Sequence, residues 1–158
     1  SFVATPRDRV TIRLRRQDDS LERLGEANAV IGVGGGVAPE ELHRLDAIRE
    51  LLGAEIGCTR KVTDHGWMPH SSQIGITGRS ISPRLYVAIG TSGKFNHMVG
   101  VRSAGTVLAI NPDRNAPVFD HADVGIVADW RECIAVLEAE LGQVTGRRRN
   151  VVPAAAPK

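Results

Sequence analysis

Four short apolar runs, each broken off by glycine or small polar residues, constrain this chain more than any other feature. Ala29-Val30-Ile31 runs into Gly32-Val33-Gly34-Gly35-Gly36. Residues 85–89 (LYVAI) run into Gly90-Thr91-Ser92-Gly93, and residues 106–110 (TVLAI) into Asn111-Pro112. Residues 123–127 (DVGIV) stop just before Asp129. Short apolar runs bounded by turn signals suit strands buried on both faces, which is the pattern of a parallel sheet. A fifth strand is read at 54–58. Between the strands lie helical patterns. Leu42, Leu45, Ile48 and Leu52 recur at helical spacing after Pro39-Glu40-Glu41 and before Gly53, predicting a helix over 39–52. A short helix is read over 96–101, and another over 130–141 with Ile134, Leu137 and Leu141 on one face. Strands alternating with helices give an α/β fold: a three-layer, Rossmann-like parallel sheet with helices on both faces.

The ends of the chain read differently. Residues 9–15 (RVTIRLR) alternate, as a half-buried edge strand does, and residues 18–26 suit a short helix. Residues 1–28 are therefore expected to be a linker and edge strand. Residues 29–141 form the folded domain. Residues 142–158 hold Arg147, Arg148, Arg149 and Lys158 with no acid, and are expected to be a disordered basic tail. The chain carries 20 Lys and Arg against 18 Asp and Glu, so its positive excess sits in that tail. A basic trio beside Pro-Ala residues reads as a solvated end, not as a nucleic-acid patch. Aromatics are 4% of the chain, too few for a base-stacking platform. No apolar run approaches a membrane span. Cys58 and Cys133 have no spacing motif and read as reduced thiols of a cytoplasmic protein.

Open parallel sheets bind ligands at the carboxyl ends of their strands, and here those ends are glycine-rich or polar. The loop Gly32–Gly36 suits a phosphate cradle at a helix start. Yet Val37 stands where the dinucleotide fingerprint needs its third glycine, so a plain turn remains open. Thr91-Ser92-Gly93 suits anionic oxygens equally well, with simple helix capping as the alternative. The segment 59–79 has no period and is long for a loop, a length that usually signals function. His65, His70 and Cys58 lack metal-ligand spacing. Ser71-Ser72 lacks a nucleophile elbow, which argues against a hydrolase.

A larger set of motifs then falls in order: Gly57-Cys58-Thr59-Arg60, Asp64-His65-Gly66-Trp67-Met68-Pro69, Gln73-Ile74-Gly75-Ile76-Thr77-Gly78, Leu85 to Gly93, Asn96-His97, Ala109-Ile110-Asn111, Ala116-Pro117-Val118-Phe119 and Ala122 to Asp129. In order and spacing this set resembles the carboxyl-terminal FAD-binding domain of the electron transfer flavoprotein alpha subunit. The resemblance implies a carrier that takes electrons from a dehydrogenase to an acceptor oxidoreductase, pairs with a beta subunit as a heterodimer, and makes no bonds in a substrate of its own; it also implies that residues 1–28 follow a missing amino-terminal domain. It implies that Arg60 lies against the isoalloxazine ring, where a fixed positive charge favours the charge gained on reduction, with Thr59 beside it. It implies that Thr77 reaches the flavin N5 region from the loop that also holds Gln73, Gly75 and Gly78. His97, after Asn96, corresponds to a histidine near the flavin O2. Ser92 and Gly93 correspond to the pyrophosphate turn, and Asn111 and Asp129 to the adenosine side. The chain departs from the family at Gly35, where an Arg is usual, at Ile76 (Gln), at Pro112 (Lys) and at Asn96 (Gln). Two rivals share the architecture. One is a nucleotide-binding domain like those of transhydrogenases or thiamine-dependent enzymes, and the other is an interaction domain that has lost its cofactor.

Overall fold

The computed structural model describes residues 22–154, and their side chains through residue 146. Its centre is a five-stranded sheet in the order β2-β1-β3-β4-β5. The strands are β1 (Ala29–Val33), β2 (Glu55–Cys58), β3 (Leu85–Ile89), β4 (Thr106–Asn111) and β5 (Val124–Val127). Every neighbouring pair is parallel. The sheet is doubly wound: the chain leaves β1 toward β2 on one side, then returns to β3 on the other. The topology therefore reverses between β1 and β3, and a crevice opens outside their carboxyl ends.

Five elements accompany the strands as α-helices: α1 (residues 22–26), α2 (Asp46–Leu52), α3 (Arg60–Asp64), α4 (Phe95–Met98) and α5 (Trp130–Ala154). Alternate strand residues feed two cores. Ile31, Val33, Val87, Ile89 and Ile110 pack with Leu45, Ile48, Val62, Trp130 and Ile134 on one face. Val30, Tyr86, Ala88, Val107 and Ala109 pack with Leu24, Ile74, Ile81, Met98 and Val118 on the other. This is the three-layer α/β fold that the apolar runs imply.

Several boundaries differ from the sequence reading. The helix expected over 39–52 divides into a 3-10 segment, Pro39–Leu45, and α2. Ala38 supplies no side-chain cap, and tighter winding pairs the N–H of Glu41 with the Ala38 carbonyl at 2.9 Å, one residue earlier than an α-turn would. The aperiodic segment 59–79 contains α3 and a 3-10 turn, His70–Ser72, elements too short to show a period. Helix α5 does not stop at Leu141 but continues to Ala154. Gly142 and Gly146 face open space, and each such glycine costs only about 1 kcal/mol of helix propensity. The backbone of 142–154 is therefore helical where a disordered tail was expected. The edge strand read over 9–15 lies outside the described residues.

Candidate functional site

The carboxyl ends of β1, β2 and β3 enclose a cavity of about 610 Å³. Its walls come from the glycine loop after β1 (Gly35, Gly36), the β2–α3 junction (Thr59, Arg60, Lys61) and the turn after β3 (Gly90, Ser92, Gly93). Gln73 to Thr77, Asn96 and His97 close the remaining side. The two glycine turns lie against each other. The N–H of Gly34 reaches the Ile89 carbonyl and that of Gly36 the Gly90 carbonyl, both at 3.0 Å. A Cβ at Gly34 would fall 2.3 Å from the Gly90 oxygen, so this approach requires glycine. Gly93 has φ +77, and a Cβ there would fall 2.2 Å from the Val118 backbone. A third element fixes the first loop from behind. The buried Trp130 donates its indole N–H to the Gly36 carbonyl at 3.2 Å. Trp130 is itself flanked by the Arg131 guanidinium, 4.8 Å from its ring centre. Arg131 grips Glu41 through two hydrogen bonds, at 2.6 and 2.5 Å. The Arg131 hydrogen bonds are the main reason that the Glu41 carboxyl titrates below its ordinary range.

The loop opposite is organised by Gln73, which is 1% exposed. Its Nε2 donates to the Thr77 hydroxyl oxygen at 2.6 Å, and its Oε1 lies 2.8 Å from the Thr63 hydroxyl. Gln73 is thus spent on positioning. Thr77 accepts from Gln73, so its own hydroxyl proton is left to donate into the cavity. Thr59 stands at the N-cap of α3 without using its hydroxyl as a cap. Arg60 is well exposed, with its Nε 3.4 Å from an Asp64 oxygen. Gly75, at φ +130, lets the loop press on the Asn96 carbonyl, which accepts the N–H of Ile76 at 2.9 Å.

His97 is placed differently from what its motif suggests. It is 6% exposed. Its Nδ1 lies 3.1 Å from the Ile74 carbonyl and its Nε2 2.5 Å from the Tyr86 hydroxyl. A carbonyl can only accept, so Nδ1 carries the proton and Nε2 accepts from tyrosine. Burial lowers the histidine's pKa, partly opposed by the Ile74 bond, and burial keeps the Tyr86 phenol protonated. The ring is therefore neutral with both nitrogens engaged, and it presents no free N–H to a ligand.

Of the twelve residues nominated from sequence, the cavity gathers Thr59, Arg60, Gln73, Gly75, Thr77, Ser92, Gly93, Asn96 and His97. Gly78, Asn111 and Asp129 lie outside its walls, each with work of its own. Gly78 folds back against the Gln73 carbonyl. The Asn111 amide donates to the Thr91 carbonyl at 2.9 Å and accepts from the Asp113 N–H at 2.8 Å. Asp129 accepts the Arg131 N–H at 2.8 Å at the start of α5 and pairs with its guanidinium. Sequence reasoning missed Lys61 and Lys94, which also line the cavity. Among the described residues no cluster suits a metal ion, and no helix is long and apolar enough to cross a membrane.

The donor set suits an anionic dinucleotide. The N–H groups of Gly35, Ser92 and Gly93 have no backbone acceptor among the described residues. Between the wall residues Gly90 and Ser92, the buried Thr91 hydroxyl has no partner among the described residues. Three cations and one carboxylate, Asp64, line the walls. Fold and site together define a doubly wound α/β domain with a glycine-lined crevice at its switch point. The family described as the electron transfer flavoprotein FAD-binding domain matches residues 23–102. The chain belongs to this family. It is similar to Protein FixB of Salmonella typhimurium, at 40% identity over 130 residues, covering 81% of this chain and 41% of that protein. Protein FixB of Azorhizobium caulinodans is 44% identical over 72% of this chain and 31% of its own length. Protein FixB of Rhizobium meliloti is 43% identical over 71% and 32%. The chain thus spans less than half the length of these relatives. A crystal structure of an hypothetical protein aligns with a TM-score of 0.46 at 12% identity, over 84% of this chain and 79% of that one.

Proposed function

We propose that this chain is the FAD-binding part of an electron transfer flavoprotein alpha-type subunit. In that role it carries electrons between a dehydrogenase and an acceptor oxidoreductase, in the cytoplasm and in company with a beta subunit. The observation that carries this reading is the single cavity at the β1–β3 switch point. It brings nine of the nominated residues, drawn from four separate motifs, to one set of walls. Bound FAD would supply the redox chemistry, and the protein its binding and electrostatic surroundings. Arg60 sets a permanent positive charge at the cavity mouth, and Thr77 offers a hydroxyl proton oriented by Gln73. Thr59 and Ser92 add hydroxyls at the glycine turns. The neutral His97 acts through shape, holding the loop carbonyl of Ile74. It donates to a ligand only if its ring exchanges one of its two partners.

The test is cofactor uptake by the full 158-residue chain. Equilibrium dialysis against FAD is expected to give one flavin per chain, with a shifted visible spectrum and release on denaturation. A chain that takes up NAD(H) but no flavin is instead a nicotinamide-binding domain. One that takes up neither is an interaction domain, and either result overturns the proposal.

A further inference from the structure

The glycine loop holds a charge imbalance. Lys61, the second residue of α3, lays its side chain over Gly35. A Cβ at Gly35 would lie 3.0 Å from Lys61 Cδ, 3.1 Å from Cε and 3.2 Å from Nζ. The lysine stem thus lies close over the place where a side chain at position 35 would begin. Among the described residues the Lys61 ammonium has no carboxylate within ion-pair distance. The one acid on the cavity wall, Asp64, is engaged with Arg60. The Gly35 N–H lacks a backbone acceptor as well. A cation therefore projects over a loop that already offers an unspent donor. Lys94 adds a second ammonium on the same walls, beside the donors of Ser92 and Gly93. An anion at these walls would receive charge-assisted bonds from the lysines and neutral bonds from the backbone.

We propose that Lys61 is a diphosphate-binding residue, and that glycine at position 35 is what admits its side chain to the loop. This rests on the flavin reading, since the diphosphate is that of FAD. The ion pair would be reached from the β2–α3 junction, across the cavity from the loop that carries the N–H donors. The two sides of the crevice would thus be joined through the ligand. Because Lys61 is exposed, a change there leaves both cores intact, and lost affinity can be separated from lost fold.

The experiment compares FAD with riboflavin, which shares the ring but has no phosphate, on the full chain. Lys61→Met is expected to raise the FAD dissociation constant roughly tenfold, the scale of one charge-assisted bond. Lys61→Arg keeps the charge and stays within about twofold of wild type. Riboflavin binding stays unchanged in both, and the FAD difference shrinks as salt is raised. If Lys61→Met binds FAD as the wild type does, the Lys61 role is wrong and the flavin reading stands. If it loses FAD and riboflavin equally, Lys61 serves the ring or the fold and the proposal is overturned. A wild-type chain that binds riboflavin and FAD equally shows no diphosphate subsite, which also overturns it. A wild-type chain that binds neither fails at the flavin reading itself.

Discussion

Removing one oxygen atom, in Tyr86→Phe, tests the buried pair behind the cavity. Tyr86 is 0% exposed and its hydroxyl lies 2.5 Å from His97 Nε2. The ring of phenylalanine fills the same space, so the packing loss is small. The cost comes from two polar terms. A net hydrogen bond is lost, and a buried acceptor, Nε2, is left without a donor, together about 1–3 kcal/mol. The stability itself also depends on pH, with a definite sign. In the wild type the folded His97 has a pKa below its ordinary value of 6.5. The unfolded chain therefore takes up a proton as pH falls through about 6.5, while the native state resists it. Stability is full above that pH and declines below it, toward the lowered native value. In Tyr86→Phe the burial that lowers the pKa remains, so the variant keeps the same direction of pH dependence. Urea unfolding of both proteins at about pH 8 and about pH 5.5, with the slope m as the check on a common unfolded state, reads both terms. The expected result is a penalty of about 1–3 kcal/mol, with both proteins less stable at the lower pH. A penalty below about 0.5 kcal/mol, less than a net buried hydrogen bond, or a wild-type stability that does not fall on acidification, would refute the assignment of His97 as a neutral ring with two partners.

The remaining predictions concern the walls of the cavity. Trp130→Phe keeps the ring but removes the N–H bond to the Gly36 carbonyl. It should cost about 0.5–1.5 kcal/mol and raise hydrogen exchange at Gly36 and Val37, with no change as the null result. Arg60→Ala should leave unfolding free energy within about 0.5 kcal/mol of wild type, since its ion pair with Asp64 is exposed. It should make the midpoint potential of bound FAD more negative, because a positive charge that favours the reduced form is gone. A potential unmoved in that variant would place Arg60 away from the flavin ring.

The fold was legible because each strand is a short, unbroken apolar run, and parallel pairing demands such runs. Residues 85–89 were bounded from sequence as the structure has them. Ends decided by local balance were not legible. Nothing in Gly142 or Gly146 says whether a helix stops there, because a solvent-facing glycine lowers helix stability without forbidding it. Short elements were also missed. Helix α3 has five residues, less than two turns, so no periodicity can announce it. Its stability comes from Val62 in the core and from the start it inherits at the end of β2.

The site shows a sharper division. Backbone requirements leave clear marks in sequence, so the glycine turns after β1 and β3 could be nominated and do face each other across the switch point. Side-chain commitments leave none. Gln73, His97, Asn111 and Asp129 are all polar residues in matching motifs, yet the structure uses each for internal hydrogen bonds. Whether a polar side chain turns toward a ligand or toward its neighbours depends on partners far along the chain, such as Tyr86 for His97 and Thr91 for Asn111. The converse holds for Lys61. Read alone it is one more basic residue after Arg60, and only the pairing of β1 with β2 brings it over Gly35. A motif can therefore locate a binding loop while leaving open which of its side chains are free to bind. That freedom is set by the hydrogen bonds and ion pairs already made in the fold: the hydroxyl proton of Thr77 and the ammonium of Lys61 keep it, and His97 does not.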